Sequence, residues 1–125
     1  MKAQLLLAAL LPVAIGACAT ARHPQLDSIP RAQKRDIPTT QASCNAVKGH
    51  WSQQGLGGGP FVCDLQANDA LKICTDSSQC EGSCLVSKSI QVGQKQAIGS
   101  CSNFLRNYGC YKFIEGGRVR SICSD

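Results

Sequence analysis

Histidine and aromatic side chains are scarce in this 125-residue chain, which has 2 His, 1 Trp, 2 Tyr and 3 Phe. His23 and His50 have no cysteine or carboxylate at a catalytic spacing, so no nucleophile–base pair is legible. Long apolar stretches are also few. The longest, Leu5 to Ile15, is interrupted by Pro12 and falls well short of the roughly 20 residues a membrane-spanning helix needs. There is no C-x-x-C redox pair. The close pair Cys80-Glu81-Gly82-Ser83-Cys84 has no second knuckle to complete a zinc ribbon. The glycines of 55–59 are not followed by Lys-Ser/Thr, which excludes a phosphate loop. Asp64, Asp69, Asp76 and Glu81 lack the regular spacing of a calcium loop. These absences leave a chain read as a non-enzyme, with no cofactor and no metal.

Cysteine, in contrast, is abundant. Eight of the 9 lie between Cys44 and Cys123, and the ninth, Cys18, closes the N-terminal apolar run. Met1-Lys2-Ala3-Gln4 supplies one positive charge ahead of that run, so residues 1–17 read as a signal peptide. Ile15-Gly16-Ala17-Cys18 has the order of a bacterial lipobox, whose cysteine receives a diacylglycerol; Gly16 is a less usual residue there. Small residues at Ala17/Ala19 or Ala19/Ala21 offer an alternative cut by ordinary signal peptidase, which would discard Cys18. Cysteine is rare in secretory signals, and we take Cys18 as the lipidation site. Several acyl chains there would anchor the protein to a membrane. Either route leaves eight cysteines, an even set suited to a closed disulfide framework in an oxidising compartment.

Residues 18–42 read as a flexible tether. Pro24, Pro30 and Pro38 recur among polar and basic residues, without helical or strand periodicity. Lys34-Arg35 resembles a dibasic processing site of eukaryotic secretory pathways, which would start a soluble secreted chain at Asp36. The plainer reading is two basic residues in a polar linker.

Residues 43–125 form the expected domain: small, disulfide-rich, loop-rich and β-leaning, with a C-terminal β-hairpin. A core of this size contributes only about 3–5 kcal/mol net, and each disulfide adds about 2–4 kcal/mol. The bridges therefore decide whether it folds. One pairing follows from geometry. Gly116-Gly117 suits a two-residue turn, and counting outward from it places Glu115 against Arg118, Ile114 against Val119 and, finally, Cys110 against Cys123. That last pair is a non-hydrogen-bonded one, with Cα atoms about 4.5 Å apart, within reach of a disulfide. The remaining six, Cys44, Cys63, Cys74, Cys80, Cys84 and Cys101, allow 15 pairings, among which the sequence does not choose. Elsewhere a helical turn is expected at Ala46 to Gly49 and strands at His50 to Gln53 and Phe61 to Leu65. A helical turn at Asp69 to Lys72, a short strand at Ile98 to Ser100 and a turn or short helix at Asn103 to Tyr108 complete the reading. Trp51 is expected to pack on a disulfide.

The series Cys44-x-x-x-x-Gly49-x-Trp51, Gly55-Leu56, Cys63, Asp69-Ala70-x-Lys72-x-Cys74-Thr75-Asp76-Ser77-x-x-Cys80-x-Gly82-x-Cys84, Gly99-x-Cys101, Gly109-Cys110, Glu115-Gly116-Gly117 and Cys123-x-Asp125 resembles a family of small cysteine-rich exported proteins and lipoproteins of Gram-negative bacteria. Leu71 stands where that pattern has a small residue. The resemblance implies a bacterial cell envelope and supplies no activity or ligand. By resemblance to enterobacterial lipoproteins, Ala19 after Cys18 implies outer-membrane sorting.

Two functions fit. One is a lipid-anchored, non-catalytic binding module of the envelope, contacting an envelope protein or polymer. The other is a periplasmic inhibitor or immunity protein against a lysozyme, protease or toxin, presenting Gly55 to Pro60 or Gln91 to Gln96 as a rigid loop. Lys112, Arg118 and Arg120 give the final hairpin a basic character. The chain's net charge is +5, most of it outside the domain, and an exported protein has no nucleic-acid partner.

Overall fold

The computed structural model describes residues 29–55 and 57–124. The expected signal peptide, Cys18 and the tether as far as Ser28 lie outside these residues.

Thr40 starts the first element. It is extended, and its side-chain oxygen accepts the backbone N–H of Ser43, which caps helix α1 (Gln41–Ala46). The helix buries Cys44 and is capped at Val47, and Lys48 after it has a φ of 59°. The helical residues therefore precede most of the expected turn at 46–49, because the capping threonine stands six residues ahead of Ala46. Strand β1 (His50–Gln53) pairs antiparallel with β2 (Phe61–Asp64), and Trp51 faces Cys63 across the ladder. The Cys44–Cys63 disulfide fastens α1 to this hairpin.

The second part is a five-stranded antiparallel sheet in the order β3 (Ile73–Cys74), β5 (Gly99–Cys101), β4 (Cys84–Val86), β6 (Gly109–Glu115), β7 (Arg118–Ser124). Strands β6 and β7 form a hairpin about Gly116 and Gly117, both at positive φ (58° and 69°), the conformation a tight two-residue turn demands of its residues. Its register sets Cys110 against Cys123, and these two are joined, with Cα atoms 4.0 Å apart. The other bridges are Cys74–Cys84 and Cys80–Cys101. A 3₁₀ turn, Ser77–Gln79, lies between β3 and β4. Residues 103–108 form no helix; Phe104 instead makes an isolated bridge with Gln66. That bridge, with Leu105 N–H on Leu65 O and Ala67 N–H on Asn103 O, joins the hairpin lobe to the sheet lobe.

Sulfur forms most of the core. Among the described residues, six of the eleven buried apolar ones are half-cystines, joined by Leu65, Ala67, Ala97, Ile114 and Val119. Trp51 is partly buried against Cys44, Cys63 and Leu65. The bridges thus supply apolar volume as well as cross-links.

The folded part begins earlier than residue 43. Ala32 N–H donates to Ser78 O, Arg35 pairs with Glu81, and Ile37 packs on the Cys44–Cys63 cluster. Residues 32–42, assigned to the tether on composition, are docked on the domain. Prolines at 30 and 38 bound a stretch held by side chains and not by periodic backbone pairing, so no sequence period revealed it.

Candidate functional site

The two faces of the five-stranded sheet differ in what covers them. Side chains alternate along each strand, so Ile114 and Val119 turn to one face, where they are buried with Ala97 and the half-cystines, and Val86 and Ile90 pack against them. Lys112 shares that side and donates its Nζ to Lys88 O and Ile90 O, both at 2.6 Å, pinning the 87–90 turn.

On the opposite face, direct cross-strand partners form a row: Ile73, Ser100, Leu85, Phe113 and Arg120. Tyr111 and Ile122 form the next rung, and the Tyr111 and Phe113 rings lie 5.8 Å apart at 50°. Ile73 is 57% exposed and Ile122 44%, while Leu85, Tyr111 and Phe113 are half-buried. Leu71 and Ile98, next to this set in sequence, are exposed as well. At about 4.8 Å per strand the row extends over about 19 Å. Arg120 Nε lies 3.1 Å from Glu115 Oε2, with both side chains more than half exposed, so this pair adds little stability. Arg118 faces Glu115 across the turn. The sequence reading grouped Lys112 with Arg118 and Arg120; the strand alternation separates them, and the ammonium of Lys112 is engaged by carbonyls. An aromatic and aliphatic sheet face edged by arginine has the composition of a protein interface. Family models, curated proteins and solved structures give no match.

Three other groups were singled out in the sequence. His50 stands opposite Asp64 on the β1–β2 ladder, a neighbour that sequence spacing hides. Partial burial raises the Asp64 pKa above its ordinary value, and the charge of His50 opposes the rise. Among the described residues no hydrogen bond joins the two. Trp51 stacks on Phe61 at 6.3 Å, and with Pro38, Thr39 and Arg106 they border an open cleft of about 150 Å³, smaller than the ~300 Å³ at which ligand pockets begin. Of the acidic residues, Asp69, Asp76 and Glu81 are engaged locally. Asp69 accepts Glu81 N–H, and Asp76 accepts Ser78 N–H and Gly117 N–H. Glu81 accepts Asn68 and Arg35. Partial burial acts to raise the pKa of both Asp76 and Glu81, and these donors outweigh it, so both lie below their ordinary values.

The sulfurs of Cys74, Cys80 and Cys84 converge within 4.8 Å. All three are in disulfides and offer no thiolate to a metal. Among the described residues no helix is long and apolar enough to cross a membrane. Of the two loops considered for an inhibitor, 91–96 is pinned to β7: Gly93 N–H donates to Val119 O, Val119 N–H to Gln94 O, and Lys95 bridges Arg118.

Proposed function

We propose that this protein is a lipid-anchored binding module of the bacterial cell envelope, tethered through Cys18, that engages an envelope protein through the open face of its five-stranded sheet. The exposure of Ile73 and Ile122 on the same face as Tyr111 and Phe113, in a sheet with its other face buried, carries the reading. Desolvating such a surface against a partner is favourable by about 25 cal/mol per Å² of apolar area, and Arg118 and Arg120 favour a partner with acidic groups at its rim. The signal sequence and Cys18 support an envelope location, and the four disulfides suit an oxidising compartment.

A photo-crosslinking side chain at position 113, introduced into the full chain in a Gram-negative host, tests this directly. The expected result is one discrete crosslinked protein from position 113 and none from position 48, on the α1 side of the molecule. Ile73→Glu should abolish the crosslink while the four disulfides persist. Equal labelling from both positions would defeat the reading. Incorporation of an alkyne-tagged fatty acid that disappears in Cys18→Ser tests the anchor separately.

The pinned 91–96 loop favours a second reading, an inhibitor that inserts this loop into an envelope hydrolase. Stoichiometric inhibition of a lysozyme or protease, lost on replacing Val92, would support it over the sheet face.

A further inference from the structure

The turn from Ser77 to Gly82 aims four backbone carbonyls at one point, and Lys34 Nζ occupies it. The ammonium donates to Gly82 O at 2.8 Å and Cys80 O at 2.9 Å, with Ser77 O at 3.3 Å and Glu81 O at 3.4 Å. Beside it the Arg35 guanidinium meets the Glu81 carboxylate with two bonds, Nε to Oε1 at 3.0 Å and Nη2 to Oε2 at 2.9 Å, and Nη2 also donates to Gln66 O at 2.6 Å. Each contact suits its partner chemically. A compact ammonium with three donors fits converging carbonyls, and a planar fork fits a carboxylate.

This cradle is held by groups other than its occupant. The 3₁₀ turn is closed by a reciprocal cap, with Ser78 N–H on Asp76 Oδ1 and Asp76 N–H on Gln79 Oε1. Glu81 N–H is held by Asp69, Ser83 N–H by Ser102 Oγ and Cys84 N–H by Ser77 Oγ. Asn68 orients the Glu81 carboxylate with its backbone and side-chain N–H groups. Disulfides at Cys80 and Cys84 fix the turn to β5 and β3. The occupying segment, by comparison, has one backbone tie to the turn, Ala32 N–H on Ser78 O.

We propose that the cradle is a recognition site for a lysyl-arginyl segment of a protein chain, occupied in cis by Lys34-Arg35 and open to such a segment in trans when these residues are withdrawn. The built-in occupant acts as a competitor. Its short connection to α1 gives it an effective concentration of the order of millimolar, so a free peptide binds the intact protein weakly and binds a vacated site well. This site is separate from the sheet face, and its test does not depend on that reading.

The test uses the full chain with Lys34→Ala/Arg35→Ala. Its probe is a fluorescein-labelled peptide of the sequence 29–38, Ile-Pro-Arg-Ala-Gln-Lys-Arg-Asp-Ile-Pro, read by anisotropy. Intact mass after alkylation without reduction verifies the four disulfides. The double variant should bind the peptide at least tenfold more tightly than the unaltered protein. A peptide with Ala in place of its Lys should lose at least tenfold, and adding Glu81→Gln to the variant should weaken binding severalfold. A four-disulfide double variant that binds no better than the unaltered protein, or that binds the two peptides alike, overturns the proposal. Lys34→Met alone, which leaves Arg35 on Glu81, gives the same reading if the double variant does not oxidise fully.

Discussion

Replacing Cys44 and Cys63 together by Ala should cost more stability than replacing Cys110 and Cys123, and the difference measures how far sulfur serves as core. The two bridges close similar lengths of chain, with sequence separations of 19 and 13. On the chain-entropy account each contributes about 3 kcal/mol by restricting the unfolded state, the longer loop only a few tenths more. Burial separates them. Cys44 and Cys63 are 0% and 1% exposed, whereas Cys110 and Cys123 lie open to solvent. Removing two buried sulfurs leaves voids of about methyl size, at about 1 kcal/mol each, so the expected totals are about 5 kcal/mol against about 3 kcal/mol. Among the described residues the Cys44–Cys63 cluster has one further buried member, Leu65, so local opening of this lobe should precede global unfolding. Urea titrations followed by Trp51 fluorescence and by far-ultraviolet circular dichroism test both statements. In the Cys44→Ala/Cys63→Ala variant the fluorescence midpoint should fall below the dichroism midpoint. Equal losses in the two double variants, with coincident probes, would refute the view that these half-cystines are core residues.

Gly49→Ala places a Cβ 2.6 Å from Cys63 Sγ and 2.7 Å from Cys44 Sγ, an overpacking expected to cost about 1–3 kcal/mol in a urea titration. Ser102, 2% exposed, accepts Ser83 N–H and donates to Phe104 O; Ser102→Ala leaves both unpaired and should cost about 1–3 kcal/mol. Asp76 and Glu81 have folded pKa values below their ordinary 3.8 and 4.5. The folded state then holds fewer protons than the unfolded one, so the stability they supply is complete above those ordinary values and is lost as pH falls through the depressed ones. Asp64, raised by burial, acts in the opposite sense. Glu81→Gln should flatten the acid limb of a stability–pH profile, and an unchanged limb would show that Glu81 gains nothing from Asn68 and Arg35. Lys112→Met frees Lys88 O and Ile90 O, which should speed amide exchange in residues 87–90 and leave the β6–β7 ladder protected.

What the sequence revealed follows the range over which residues act on one another. The β6–β7 hairpin was legible because its turn, its cross-strand charges and its cysteines all lie within one short segment and agree on one register. The remaining bridges were not, and the β4–β5 ladder shows why. Cys84 stands directly opposite Cys101 in the register, yet Cys84 bonds Cys74 and Cys101 bonds Cys80, so strand adjacency alone would have paired the wrong sulfurs. Strands β3 and β4 have two and three residues, too few for an alternation to register, and they carry Ile73 and Leu85 of the open face. Only the Tyr111, Phe113 and Ile122 part of that face was readable, from alternation within the hairpin.

The docked segment 32–42 shows a different limit. Composition reads the three prolines and the charges of residues 18–42 as linker because it measures how a segment behaves in isolation. Lys34 and Arg35 are ordered here by a turn more than 40 residues away, one made rigid by two disulfides, a side-chain cap and a buried serine. Backbone carbonyls that converge after such a turn is fixed carry no residue signature of their own, since any side chains could sit on that backbone. The cation that meets them is the one trace left in the sequence. In small disulfide-built domains, paired basic residues just upstream of the first framework cysteine therefore have an alternative to processing or solvation. They are candidates for docking on the carbonyl-rich turns that the bridges create.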